Sequence, residues 1–86
     1  MNGAEKVALI TERLQVAFSP AHLEVLDESA AHAGHAGHQG GGRHFAIIIT
    51  AESLAGLSRV AAHRQIYALF VDLIPHEIHA LRICVL

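Results

Sequence analysis

Cysteine is almost absent from this chain: Cys84 is the only one in 86 residues. No intramolecular disulfide can form, a reducing cytoplasmic compartment fits that usage, and Cys84 reads as a small buried residue of a C-terminal strand. Long apolar runs are missing as well. None approaches the ~18 residues that a membrane-spanning helix needs, and the opening Met1-Asn2-Gly3-Ala4-Glu5-Lys6 lacks a secretory stretch, so no membrane role is expected. Excess positive charge is also lacking, with six Lys and Arg against eight Asp and Glu for a formal charge of −2. A protein that works by neutralising phosphates carries a basic face, whereas Lys6, Arg13, Arg43, Arg59, Arg64 and Arg82 are scattered along the chain. Any DNA affinity should therefore be weak near neutrality and should grow as histidines protonate. Asp27, Ser29 and the nearby histidines lack the strained nucleophile turn and oxyanion-hole motif of a hydrolase, and the chain does not read as an enzyme.

Histidine and glycine, by contrast, are plentiful. The segment from Ala31 to Gly42, AHAGHAGHQGGG, sets His32, His35 and His38 at three-residue intervals among five of the seven glycines. Each of those glycines costs a helix roughly 1 kcal/mol relative to alanine, so residues 29–42 are expected as a flexible loop. Imidazole suits borderline metals, and a loop of imidazoles with a fixed imidazole elsewhere can hold a shared metal centre. A His/Gly-rich hairpin tip exposed to solvent has the same composition.

With 52% hydrophobic and 16% charged residues, the chain reads as a single folded domain over residues 1–86, burying ~60 to 65% of its unfolded surface. Val7, Ile10, Leu14 and Phe18 form one helical stripe over Glu5 to Phe18, and Ser19-Pro20 ends it. Alternation then predicts a strand over His22 to Asp27 and, beyond the loop, a second over Arg43 to Thr50 with Phe45, Ile47 and Ile49 on one face. His44 is expected to face solvent. A short helical turn over Ala51 to Leu57 precedes a long helix that Ser58 caps and Pro75 stops at Ile74. Its stripe of Val60, His63, Tyr67, Phe70 and Ile74, widened by Ile66 and Leu73, is expected to pack on the sheet, with His63 in a structural role. A last strand over Ile78 to Val85 places His79, Leu81, Ile83 and Val85 on one face. The element order α-β-β-α-α-β makes an α+β domain, a three-stranded sheet with its helices on one face.

Several short stretches, in this order, resemble BolA-like proteins over nearly the whole chain. They are Phe18-Ser19-Pro20 followed by Leu23-Glu24-Val25 and Asp27-Glu28-Ser29, then His44-Phe45, Gly56-Leu57-Ser58-Arg59, His63-Arg64-Gln65-Ile66-Tyr67 and Ile78-His79-Ala80-Leu81. The resemblance implies a fold like the type II KH domain, although no GxxG nucleic-acid clamp stands at the helix-helix junction. It also implies heterodimers with a monothiol, CGFS-type glutaredoxin bridged by a 2Fe-2S cluster, with glutathione supplied through the partner. In that family the ligands come from the loop between the first two strands and from the histidine of the IHAL-like motif, which correspond here to His32 and His79. The loop differs from the family pattern in reading Gly40-Gly41-Gly42-Arg43-His44-Phe45, and His35 and His38 compete with His32. Ala62 stands where relatives often have a basic residue before the helix histidine.

Three functions follow as expectations. The leading one is an adaptor in iron-sulfur cluster trafficking and iron homeostasis, monomeric or weakly homodimeric without its partner. The second is a DNA-binding transcriptional regulator, an activity also attributed to some members, acting through the long helix and its preceding turn. The third is buffering of zinc or nickel by the His loop.

Overall fold

The computed structural model describes residues 1–29 and 43–86. The first helix, α1 (Gly3–Phe18), starts two residues ahead of the expected Glu5 because Asn2 and Glu5 form a capping box. The Asn2 side chain accepts the Glu5 N–H at 2.8 Å while Glu5 Oε1 accepts the Asn2 N–H at 3.0 Å, which satisfies two donors that a helix start otherwise leaves open. At the other end Ser19 turns left-handed (φ 43°), its N–H donating to the Gln15 carbonyl. The chain then enters β1 (His22–Asp27), which pairs antiparallel with β2 (His44–Thr50). A short 3-10 turn (Glu52–Leu54), α2 (Arg59–Ala68) and a run of turns carry the chain over to β3 (Ala80–Val85), which lies parallel to β2. Parallel pairing requires such a crossover. The sheet order is β1-β2-β3.

The registers align the apolar faces of all three strands. Leu23 and Val25 sit opposite Ile49 and Ile47, while Phe45, Ile47 and Ile49 sit opposite Leu81, Ile83 and Val85. Ile10 and Leu14 of α1 and Ile66 of α2 close over this face, each fully buried. A single core thus joins the sheet to both helices, as the expected α+β arrangement requires.

Three expectations are corrected. The second helix ends at Ala68, six residues short of Ile74. The Leu69 and Phe70 N–H groups bond only three residues back, to Ile66 and Tyr67, as the Leu73 N–H does to Phe70, and Arg13 of α1 pins these tighter turns by donating to the Leu69 carbonyl at 2.7 Å. Accordingly α2 buries Ala62 and Ile66, whereas Val60 and Tyr67 of the expected stripe are exposed. Phe70, Leu73 and Ile78 reach the core from the turns that follow. Cys84 is exposed rather than buried, because alternation along β3 places it with Arg82 on the face that no helix covers. His44, expected in solvent, is half-buried.

Arg13 also forms a bidentate pair with Asp72, at 2.7 and 2.9 Å, which clamps the turns after α2 onto α1. Hydrogen bonds from Arg13 hold the Asp72 carboxyl below its ordinary pKa, and the same bonds raise that of Arg13. A depressed folded-state pKa stabilises the fold above the unfolded value of ~3.9, and that stabilisation is lost as pH falls through the folded value. The Asp72→Asn variant should therefore have a lower thermal midpoint at pH 7, with the gap to wild type closing below about pH 4. A gap independent of pH down to 2 would count against this pair.

Candidate metal centre

His79 lies one residue ahead of β3, which begins at Ala80 and not at the expected Ile78, at the end of the sheet where residues 29 and 43 flank segment 30–42. Its backbone N–H donates to the Arg43 carbonyl at 2.7 Å, and the Ala80 N–H shares that acceptor at 3.3 Å. The main chain of His79 is thus fixed directly to the returning end of the loop, while its side chain is exposed. The departing end is tied to the same place. Ser29, only 2% exposed, accepts the Arg43 N–H at 2.9 Å and the His44 N–H at 3.3 Å through its hydroxyl, and its own N–H donates to Asp27 Oδ1. The Glu28 N–H donates to the His44 carbonyl at 2.7 Å.

A charged clamp reinforces this base. Arg82 Nε and Nη2 donate to the two carboxylate oxygens of Glu28 at 3.1 and 2.8 Å, bridging β3 to the end of β1. Hydrogen bonds donated to Glu28 raise the Arg82 pKa further above its ordinary value, so the guanidinium stays charged at any pH where the protein is folded.

The imidazoles of His44 and His79 meet edge to face, with centroids 5.5 Å apart and ring planes at 70°. Periodicity alone does not bring these two together, because they sit 35 positions apart on strands joined by a crossover. The β2/β3 register, which pairs His44 with Ala80, does so. Of the other expected ligands, His32, His35 and the competitor His38 lie outside the described residues, as does the expected flexibility of the loop. Among the described residues no group of three or more His, Cys, Asp or Glu converges to hold a metal ion.

The donor chemistry fits a metal centre that is completed from elsewhere. His79 offers an accessible imidazole with a fixed main chain, and the returning end of the segment that carries three more histidines is within one hydrogen bond of it. Imidazole nitrogen is a suitable ligand for iron. Ser29 is the residue that reading the sequence missed as an organiser of this site, although Asp27-Glu28-Ser29 carries the local signal of a side-chain-capped turn. Replacing Ser29 with alanine leaves two backbone donors without their acceptor and should cost about 1–3 kcal/mol in denaturant titration. A loss below the error of such a titration would show that the loop base is held by other groups.

Comparison with known proteins places the chain in context. The family model described as BolA-like protein matches residues 14–86. The SufE-like protein 1, chloroplastic/mitochondrial, of Arabidopsis thaliana is 39% identical over 93 aligned positions, covering 95% of this chain and 25% of that protein. The DNA-binding transcriptional regulator BolA of Escherichia coli is 34% identical over 84% of this chain and 66% of its own length. The chain therefore spans only part of these relatives. Among solved structures, the BolA domain of SufE1 from Arabidopsis thaliana superposes with a TM-score of 0.83 at 36% identity, covering 99% of this chain and 93% of that one. BolA1 from the same plant gives 0.78 at 33%, covering 92% and 87%. The sheet order, the crossover and the ordered sequence similarity agree, and the chain belongs to the BolA-like protein family.

Proposed function

We propose that this protein is a non-enzymatic adaptor in iron-sulfur cluster trafficking and iron homeostasis, carrying a 2Fe-2S cluster jointly with a monothiol, CGFS-type glutaredoxin in the cytoplasm. The observation that supports this reading is the accessible His79 imidazole at the head of β3, beside both anchored ends of the histidine-bearing loop. In this reading His79 and one loop histidine, His32 with His35 and His38 as competitors, ligate one side. The partner's thiolate and its glutathione ligate the other. A cluster held by imidazoles on one iron has a raised potential and pH-sensitive ligation, because the ring nitrogens must be neutral to bind. His79 contributes a donor whose main chain is fixed by the Arg43 carbonyl, and the Arg82–Glu28 pair keeps β3 and the loop base in register.

Co-expression with a CGFS-type glutaredoxin, followed by the visible absorption and circular dichroism of the purified complex, tests the proposal. A stoichiometric heterodimer with iron and acid-labile sulfide is expected. A colourless mixture of separate proteins after anaerobic reconstitution would refute it.

A second reading, a DNA-binding transcriptional regulator, draws on the name of the bacterial relatives and on α2. Arg59 and Arg64 are both exposed there and have no ion-pair partner among the described residues, and α2 contains no acidic residue. Ala62, where relatives often carry a basic residue, is 2% exposed and belongs to the core. Two free cations on one helix release few counterions, so a gel shift with promoter DNA is expected to need low salt. Tight, sequence-selective binding at pH 8 and ~0.15 M salt would promote this reading above the first.

A further inference from the structure

β3 is an edge strand, and its far end, away from His79, borders a groove of about 460 Å³. The direction of its main-chain groups follows from the bonds it makes. The N–H groups of Ala80 and Leu86 donate to the Arg43 and Ile49 carbonyls of the neighbouring strand, so the even-numbered residues of β3 face β2. Leu81, Ile83 and Val85 therefore turn their N–H and carbonyl groups away from the sheet. The Tyr67 hydroxyl satisfies the Leu81 carbonyl at 2.9 Å. Ile83 and Val85 have no such cover among the described residues, and both line the groove.

The opposite wall is the segment from the 3-10 turn into α2. The exposed Ala55 and Leu57 give it an apolar surface, and Arg59 and His63 line the same groove. Leu57 and Leu86, on the two walls, are large apolar side chains left 38% and 67% exposed. Ser58 caps α2, and no acidic residue occupies the first turn of the helix. The groove thus combines a strand edge with open donors and acceptors, an apolar floor, and positive potential at one wall from an arginine with no ion-pair partner among the described residues.

We propose that this groove receives an extended, acidic segment of a partner protein as a fourth strand on β3, with an aliphatic side chain seated against Ala55 and Leu57 and a carboxylate paired with Arg59. A free strand edge offers donors and acceptors at every second residue, which is the spacing of another extended backbone. Single-stranded nucleic acid fits less well. No Phe, Tyr or Trp lines the groove to stack a base, and a single permanent cation lines it, whereas such sites combine stacking platforms with a basic track. The site lies at the opposite end of β3 from His79, so its occupancy is separable from metal ligation there.

The test uses a blocked, fluorescein-labelled heptapeptide of alternating valine and glutamate, titrated by anisotropy and followed through backbone amide NMR. Binding should shift and slow the exchange of the Ile83 and Val85 amides while leaving the His79 amide unmoved. The Arg59→Glu variant should bind about tenfold more weakly, and so should the same peptide N-methylated at alternate valines, which probes the unaltered protein. The proposal is overturned if the N-methylated peptide binds as well as its parent, or if a valine-lysine peptide matches the glutamate one. It is also overturned if a ten-nucleotide thymidine strand produces the same amide shifts at lower concentration.

Discussion

Replacing His79 with alanine is expected to abolish or strongly destabilise the mixed cluster with the glutaredoxin while leaving the fold intact. The side chain is exposed and, among the described residues, makes only the ring contact with His44, so its removal leaves no cavity and should change the stability of the isolated protein by no more than about 0.5 kcal/mol. The contacts that place β3 at this end are made by the His79 main chain and by Arg82, and both survive the substitution. Loss of a ligand without loss of structure is what separates this variant from a folding mutant. Changing His32 alone should have a smaller effect, because His35 follows three residues later, and the double variant His32→Ala/His35→Ala should remove that rescue. A His79→Ala protein that forms the heterodimer with an unchanged visible spectrum and cluster lifetime would exclude ligation at this position.

His44 complicates the assignment in a way that local patterns did not reveal. Its ring contacts that of His79, and it lies one residue from Arg43, whose carbonyl holds the His79 main chain. Strand periodicity placed His44 on the face opposite Phe45, which is correct, but periodicity does not report which strand lies alongside. That depends on the crossover, and once β3 is parallel to β2 the register brings positions 44 and 79 together. Cys84 is the converse case, since the alternation that put His79, Leu81, Ile83 and Val85 on one face already implied that Arg82 and Cys84 share the other. Its exposure was legible and was overridden by the general tendency of free cysteine to be buried.

The helices divide in the same manner. The interior stripe of α1 was readable because three- and four-residue spacing is an intrinsic property of a helix, and Ile10 and Leu14 are fully buried as that spacing requires. Its start was missed by two residues because the capping box at Asn2 and Glu5 precedes the stripe. The end of α2 was misplaced for a tertiary reason. The residues from Leu69 to Ile74 carry an apolar pattern compatible with a helix, yet the Leu69 carbonyl is claimed by Arg13, 56 positions earlier. The chain tightens into three-residue turns after Ala68, and the Arg13 bond holds those turns on α1 while Phe70 and Leu73 reach the core from them. No window of local sequence contains that arginine.

Phe70→Ala should be the most damaging single change to the fold, and its expected cost is about 3–5 kcal/mol, from lost transfer energy and from the cavity left behind. Domains of this size are stable by roughly 5–15 kcal/mol, so the variant should sit close to its unfolding threshold at 37 °C. Phe70 is fully buried, packs within the cluster that joins both helices to the sheet, and lies under the Arg13 guanidinium at 5.9 Å from its ring centre. Removing the ring takes away the surface on which Arg13 rests while it holds Leu69 and Asp72, so the turns that carry the chain from α2 to β3 should loosen together. The neighbouring Val71, 72% exposed, is the control, and Val71→Ala should stay within about 0.5 kcal/mol of wild type. Urea titration read by circular dichroism gives the stability difference, and amide exchange gives its location. The His79 N–H, bonded to the Arg43 carbonyl at the end of that crossover, should exchange faster in Phe70→Ala than in Val71→Ala. A cost below about 1 kcal/mol, or unchanged exchange at His79, would mean that β3 is positioned by its pairing with β2 alone and that the crossover does not hold the His79 end of the sheet in place.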